Sequence, residues 1–274
     1  MHNSEFRIHN ALCIVNFALC IALSGCAARR IPFPTDTGGP LPDVAAIHQQ
    51  ISADCSGVRT LTAELSLSGR AGSQRLRGRV VAGFARPASM RLEGVAPFGP
   101  PAFILAARDD EATLLLPRDN GVLRGARADQ ILGALTGVTL APADLQAILT
   151  GCVEPAPRAT GGRLHQNGWA SVDLSGGSTL YLARQGAAWR VRGARRGDWE
   201  VEYAAWQGRF PQSLRLRSTP DLSRPQVVVD LVAAISQLEA NVDIDAAAFT
   251  VTVPAGVTTI TLEELREAGP LRGE

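Results

Sequence analysis

Thr60-Leu61-Thr62-Ala63-Glu64-Leu65-Ser66-Leu67-Ser68 alternates apolar and polar residues without a break. A period of two puts Leu61, Ala63, Leu65 and Leu67 on one face of a strand and the hydroxyls with Glu64 on the other, which is the pattern of a half-buried sheet. Leu76, Val80, Ala82 and Phe84 carry the alternation on against Arg75, Arg77 and Arg79, and Ser89 to Val95 makes a third short strand ending at Pro97. The three arginines are expected to form a solvated outer face rather than a binding patch.

Downstream, Phe103 to Ala107 and Ala112 to Leu116 read as nearly continuous apolar strands with both faces covered. Asp109-Asp110-Glu111 between them is expected to be a solvated turn rather than a cation site. Ala128, Ile131, Leu132 and Leu135 then fall at i, i+3, i+4 and i+7, and Leu145, Ile148, Leu149 and Cys152 repeat that spacing, with Pro142 placed to start the second helix. Short amphipathic helices among antiparallel strands pack over one sheet face or close one end.

From Arg163 the chain reads as a meander, punctuated by Asn167-Gly168, Ser175-Gly176-Gly177, Gln185-Gly186 and Arg196-Gly197-Asp198. Arg195-Arg196 beside Gly197-Asp198 is expected to be a hairpin tip. Leu214 and Leu216 extend the pattern, and Val227 to Leu238 is a strand or a buried helix, its valines favouring the strand. Upstream, Asp43 can cap a helix to about Ala53, with Val44, Ile47, Ile51 and Cys55 on one face and Gly57 past its end. The fold class is therefore mainly β with a few helices (α+β).

The start of the chain follows a different logic. Ala11 to Ala22 is apolar but too short to span a bilayer, which needs roughly 20 residues, and it leads into Leu23-Ser24-Gly25-Cys26. The two together read as a bacterial lipoprotein signal with its lipobox, an ordinary cleaved secretory signal being the alternative. Residues 1–25 are then a signal peptide, the Cys26 thiol is the lipid attachment point, and 26–42, with Pro32, Pro34, Pro40, Pro42 and Gly38-Gly39, is a proline-rich tether. If fully extended, that tether reaches about 50 Å. Residues 43–274 form a single domain, long enough for one large core.

A net charge of +1 gives no reason to expect nucleic acid as partner, although all 27 basic residues are arginine. Once Cys13, Cys20 and Cys26 are set aside, Cys55 and Cys152 remain, as a disulfide in an oxidising periplasm or as two buried free thiols. No Gly-x-Ser-x-Gly elbow or phosphate-cradling loop occurs, and His48 and His165 are too few to build a metal site. No catalytic residue, metal, cofactor or enzymatic activity is expected.

Pro97-Phe98-Gly99, Leu114-Leu115-Leu116, the Ile131 to Leu149 segment with Leu135-Thr136-Gly137-Val138, and Trp199-Glu200-Val201-Glu202-Tyr203 followed by Pro211 and Ser213 to Arg217 resemble one family. It is the LolA/LolB lipoprotein-localisation superfamily, and the similarity over residues 43 to 240 is to its LolB outer-membrane receptors. Ala248-Phe249-Thr250 with Pro254-Ala255-Gly256-Val257 is instead similar to the ending of the LolA periplasmic carriers.

The resemblance implies an incomplete antiparallel barrel of about 10–11 strands, curved round a hydrophobic cavity for acyl chains and covered by short helices. Leu65, Leu67, Phe84, Leu92, Phe103, Leu105, Leu132, Leu149, Trp189 and Val201 are the candidate lining. It also implies that Phe98, on a loop stiffened by Pro97, Gly99, Pro100 and Pro101, inserts into the membrane. The implied partners are outer-membrane lipid, acylated lipoprotein cargo and a LolA-like periplasmic carrier, and the implied state is a monomer on the periplasmic face of the outer membrane. The tether, the cysteine pair, the absence of lysine and a C-terminal extension from about 243 mark a divergent member. An envelope lipoprotein or scaffold of the same shape that binds a lipid or another hydrophobic ligand, with no part in lipoprotein sorting, is the second reading.

Overall fold

The computed structural model describes residues 32–72, 74–153, 158–218 and 228–268, without the side chains of 54, 55, 74 and 268. The chain divides after Pro32, so the lipobox, Cys26 and the first part of the expected tether lie outside what is described here. The second unit begins at Phe33.

Its elements are β1 (Gly39–Pro40), α1 (Val44–Ser56), β2 (Thr60–Ala71), β3 (Gln74–Ala85), β4 (Ser89–Val95), β5 (Phe103–Arg108), β6 (Glu111–Leu116) and β7 (Gly121–Ala126). Helices α2 (Ala128–Thr136) and α3 (Pro142–Leu149) follow, then the meander β8 (Ala159–Leu164), β9 (Ala170–Leu174), β10 (Ser178–Gln185), β11 (Ala188–Arg196), β12 (Trp199–Gln207), β13 (Phe210–Ser218) and β14 (Val229–Ala240). A 3₁₀ turn at Ala246–Phe249, β15 (Thr258–Thr259) and α4 (Leu262–Ala268) complete the described chain.

All these strands form one sheet in the order β1-β8-β9-β10-β11-β12-β13-β14-β2-β3-β4-β5-β6-β7-β15. Only the β15–β7 pair is parallel, and β1 and β15 stand at opposite edges, so the sheet is open. The class is mostly β with a few short helices, as the alternation at Thr60 to Ser68 predicts. The sheet has 15 strands among the described residues, more than the expected ten or eleven, because each apolar run after Arg163 turns in its own hairpin and both flanks of the domain add an edge strand.

Alternation sorts the two faces. Leu61, Ala63 and Leu65 of β2 pair with Phe84, Ala82 and Val80 of β3 on the inner face, where all six are buried. Val227 to Leu238 resolves as strand over its described part, with Val229, Leu231, Ala233 and Ile235 buried inward.

Both flanks of the domain pass from the outer face round an edge to the inner face. Phe33 is buried on the outer face, stacked on Tyr181 at 4.4 Å. β1 then pairs Gly39 and Pro40 with Leu164 and Arg163, and Leu41 donates to the Gly162 carbonyl at 3.1 Å before α1 crosses the inner side. The expected tether is thus part of the domain from Phe33 onwards. Pro40 is tolerated because β1 is an edge strand, where a missing N–H leaves no ladder bond unmade. On the other flank, Arg91 Nη1 of β4 donates to the carbonyls of Ala248 and Thr250 at 2.9 and 3.1 Å, and Phe249 is buried. β15 then pairs with β7, and α4 packs on α2 through the buried Leu265. The C-terminal extension is therefore an integral cover.

Candidate functional site

Between the inner face and helices α2 and α3 lies a cavity of about 130 Å³. The sheet supplies Leu65, Leu67, Val80, Phe84, Leu92, Phe103, Leu214, Leu216, Leu231 and Ala233. The helices and their connection supply Leu132, Leu135, Thr136, Val138, Leu140, Leu145, Ile148 and Leu149. Thr136 is the one polar lining residue, and its hydroxyl is committed, donating to the Leu132 carbonyl at 2.8 Å and accepting from the Val138 N–H at 3.1 Å. No lining side chain therefore offers a free hydrogen bond to water or to a polar ligand, and such a void is dry and selects apolar matter.

The two helices are held differently. The i, i+3, i+4, i+7 stripe of α2 is buried at Ala128, Ile131, Leu132 and Leu135, and Gly137 ends the helix in the left-handed conformation. Among the described residues α2 makes no polar bond to the sheet. α3 is pinned at both ends: Arg196 Nη1 reaches Asp144 of its first turn at 2.8 Å, and the Tyr203 hydroxyl donates to the Ile148 carbonyl at 2.8 Å. Burial pushes the Tyr203 phenol pKa far up, so it stays a donor. Arg195 and Arg196 are therefore more than a hairpin tip. Arg196 also reaches the Val153 carbonyl at 3.2 Å, and Arg195 bonds Glu200 at 3.2 Å.

The β4–β5 loop carries Phe98, whose surface is 88% exposed. Arg118, in the β6–β7 turn, donates to the Phe98 carbonyl and, at 3.3 Å, to the Pro100 carbonyl, while Gly99 takes φ +77°. Prolines on both sides and a guanidinium clamping two loop carbonyls hold the ring away from the core.

Seven of the ten expected lining residues, Leu65, Leu67, Phe84, Leu92, Phe103, Leu132 and Leu149, border the void. Leu105 and Val201 do not. Both are fully buried: Leu105 lies opposite Leu92, two residues beyond Phe103 on β5, and Val201 lies opposite Leu216 on β12, one strand outside the lining. Trp189 lies elsewhere, near α1, with Arg184 4.3 Å from its ring centroid. On the sheet, Val80, Leu214, Leu216, Leu231 and Ala233 were missed, because alternation assigns a face but not the position of a strand beneath the helices. Cys152 is disulfide-bonded, whereas the side chain of Cys55 lies outside those described. Among the described residues no cluster of three or more His, Cys, Asp or Glu could hold a metal, and no helix is long and apolar enough to cross a membrane.

No family model and no curated protein matches this sequence. Solved structures do: a DUF1329 family protein from Desulfovibrio piger is 13% identical, with TM-score 0.48 over 76% of this chain and 95% of that one. A LolA superfamily protein from Nitrosomonas europaea is 10% identical, with TM-score 0.47 over 75% of this chain and 98% of that one. A domain from Vibrio parahaemolyticus described as an outer membrane lipoprotein-sorting protein is 11% identical, with TM-score 0.46 over 74% of this chain and 94% of that one.

Proposed function

We propose that this chain is a lipid-anchored envelope protein that holds the acyl chains of lipoproteins beneath α2 and α3 and passes them to the outer membrane. The observation that carries the reading is the cavity, lined by apolar side chains and one self-satisfied threonine. An acylated protein cannot leave a bilayer alone, since each buried methylene is worth about 0.8 kcal/mol. An apolar void that replaces the bilayer removes that barrier without chemistry, so no catalytic residue or cofactor is invoked.

At rest the void is smaller than the 300–1,000 Å³ usual for ligand sites, so a chain enters by displacing a helix. α2 is the element to move, because α3 is tied to the sheet by Arg196 and Tyr203. Phe98 gives the same molecule a membrane contact, and an anchor at Cys26 keeps it at the outer membrane as a monomer that receives cargo from a LolA-like carrier. A purified acylated lipoprotein should be captured by the full chain, and its unacylated form should not. Phe98→Glu should keep capture and lose transfer into vesicles. Equal capture of the two forms would refute the reading.

The small resting volume favours a second reading, in which the chain is an envelope binder or scaffold for a hydrophobic small molecule or single lipid. Native mass spectrometry separates the two: a co-purified small ligand with no affinity for acylated lipoprotein supports the second.

A further inference from the structure

The outer face divides into three parts. Its flanks are covered by the chain itself, through Phe33 over β10 and β11 and through the 3₁₀ turn over β4 and β5. Beneath and beside Phe33, Arg195, Arg215 and Arg217 carry acidic partners: Arg195 bonds Glu200, Arg217 contacts both Glu200 and Glu202, and Arg215 takes both Asp230 oxygens at 2.6 Å. The centre, on β2 and β3, is bare.

There Arg70, Arg75, Arg77 and Arg79 are all exposed, on one face, and none has an acidic partner among the described residues. The register sets Arg70 directly opposite Arg75, with Ser68 and Ser66 opposite Arg77 and Arg79. The neighbour across from Arg70 on the other side is Asp230, already committed to Arg215. Like charges directly opposed on a ladder destabilise a sheet, so folding gives no reason for this arrangement.

Its location supplies one. Arg79 pairs with Val95, the last residue of β4 before the Phe98 loop, and the β2–β3 hairpin continues past that point to Arg75, about 13 Å further at the usual rise per residue. At the hairpin tip the Gly72 N–H bonds the Val228 carbonyl at 2.8 Å, and Val228 is 57% exposed. The same end of the sheet therefore presents two exposed apolar side chains, Phe98 and Val228, on either side of four unpaired guanidiniums.

We infer that this end is a docking surface for an anionic lipid bilayer, with Phe98 and Val228 as apolar contacts and the arginine ladder bound to lipid phosphates. The inference rests on the membrane-contact reading of Phe98 and extends it to a lipid composition. Guanidiniums match phosphate oxygens in bidentate geometry, and each basic residue at an anionic surface raises affinity about fivefold.

The test uses the chain from residue 26 with Cys26→Ser, so that neither the apolar leader nor an attached lipid supplies the binding, and vesicles of pure phosphatidylcholine or of phosphatidylcholine with one third phosphatidylglycerol. The unaltered face should bind the anionic vesicles more tightly, and the excess should vanish in 1 M salt, where screening shortens to about 3 Å. Arg75→Gln with Arg77→Gln should weaken anionic binding about 25-fold and leave phosphatidylcholine binding unchanged, while the double lysine variant should largely retain it. Phe98→Glu should weaken binding to both vesicles. Equal binding of the glutamine variant and the parent to anionic vesicles, with Phe98→Glu still defective, would overturn the ladder and leave Phe98 standing. No defect in Phe98→Glu would instead remove the reading on which the ladder rests. A melting temperature for each variant separates lost binding from lost fold.

Discussion

Phe33 and Phe98 occupy similar sequence settings, each beside prolines in a segment with little regular structure. Phe33 is 7% exposed and Phe98 is 88% exposed. The difference comes from what each ring meets. Phe33 lies in a slot made by the absence of a side chain at Gly193, where a Cβ would stand 2.3 Å from the ring, and Tyr181 stacks beneath it. Phe98 has no such slot, and Arg118 and the loop prolines hold it out. A buried aromatic secures one flank of the domain, and an exposed one is left for another surface.

Breaking the first half of that contrast should cost most. Phe33→Ala should destabilise the fold by about 3 kcal/mol, at the low end for a buried phenylalanine, and chemical denaturation reads it directly. Gly193→Ala attacks the same contact from the other side, since its Cβ would also lie 2.5 Å from the Val201 carbonyl oxygen. It should cost about 1–3 kcal/mol, and combined with Phe33→Ala the losses should be less than additive, which a double-mutant cycle measures.

Tyr203 sharpens the contrast on the inner side, as a buried ring whose stability also depends on one hydroxyl. Tyr203→Phe leaves the Ile148 carbonyl without that donor and should cost about 1–2 kcal/mol. It should also raise hydrogen exchange in α3 towards that of α2.

The ion pairs of the outer face show the same division between sealed and open regions. Hydrogen bonds from Arg215 hold the Asp230 carboxyl below its ordinary value of 3.8. A carboxyl with a lower pKa in the folded than in the unfolded chain adds stability above about pH 4 that is lost as pH falls through the folded value. Asp230→Asn should remove part of the fall in melting temperature between pH 5 and pH 2.5. The pair is partly exposed, so the effect should stay under about 1 kcal/mol. Smallest of all for stability is Phe98→Glu, expected within about 0.5 kcal/mol of the parent.

Local signals were legible and non-local ones were not. The period of two at Thr60 to Ser68 and the stripe Ala128, Ile131, Leu132, Leu135 appear in the structure on the expected faces. Phe98 could be read as exposed because its restraint is largely its own prolines. Phe33 could not, because its slot is made by Gly193 and Tyr181, about 150 residues away in sequence, so the segment around it looked like free tether. The cavity was legible as a face but not as a place: Leu105 and Val201 share the inward face, yet Leu105 lies further along β5 than the lining Phe103, and Val201 lies one strand too far out.

The most direct test titrates a fluorescent polyene fatty acid into the full chain and into Ala233→Trp, which puts an indole into the void. The account predicts saturable binding to the parent and to Phe98→Glu, and a loss of at least tenfold in Ala233→Trp at unchanged melting temperature. Equal affinity in parent and Ala233→Trp would contradict it, because the acyl chain would then be held outside the cavity beneath α2 and α3.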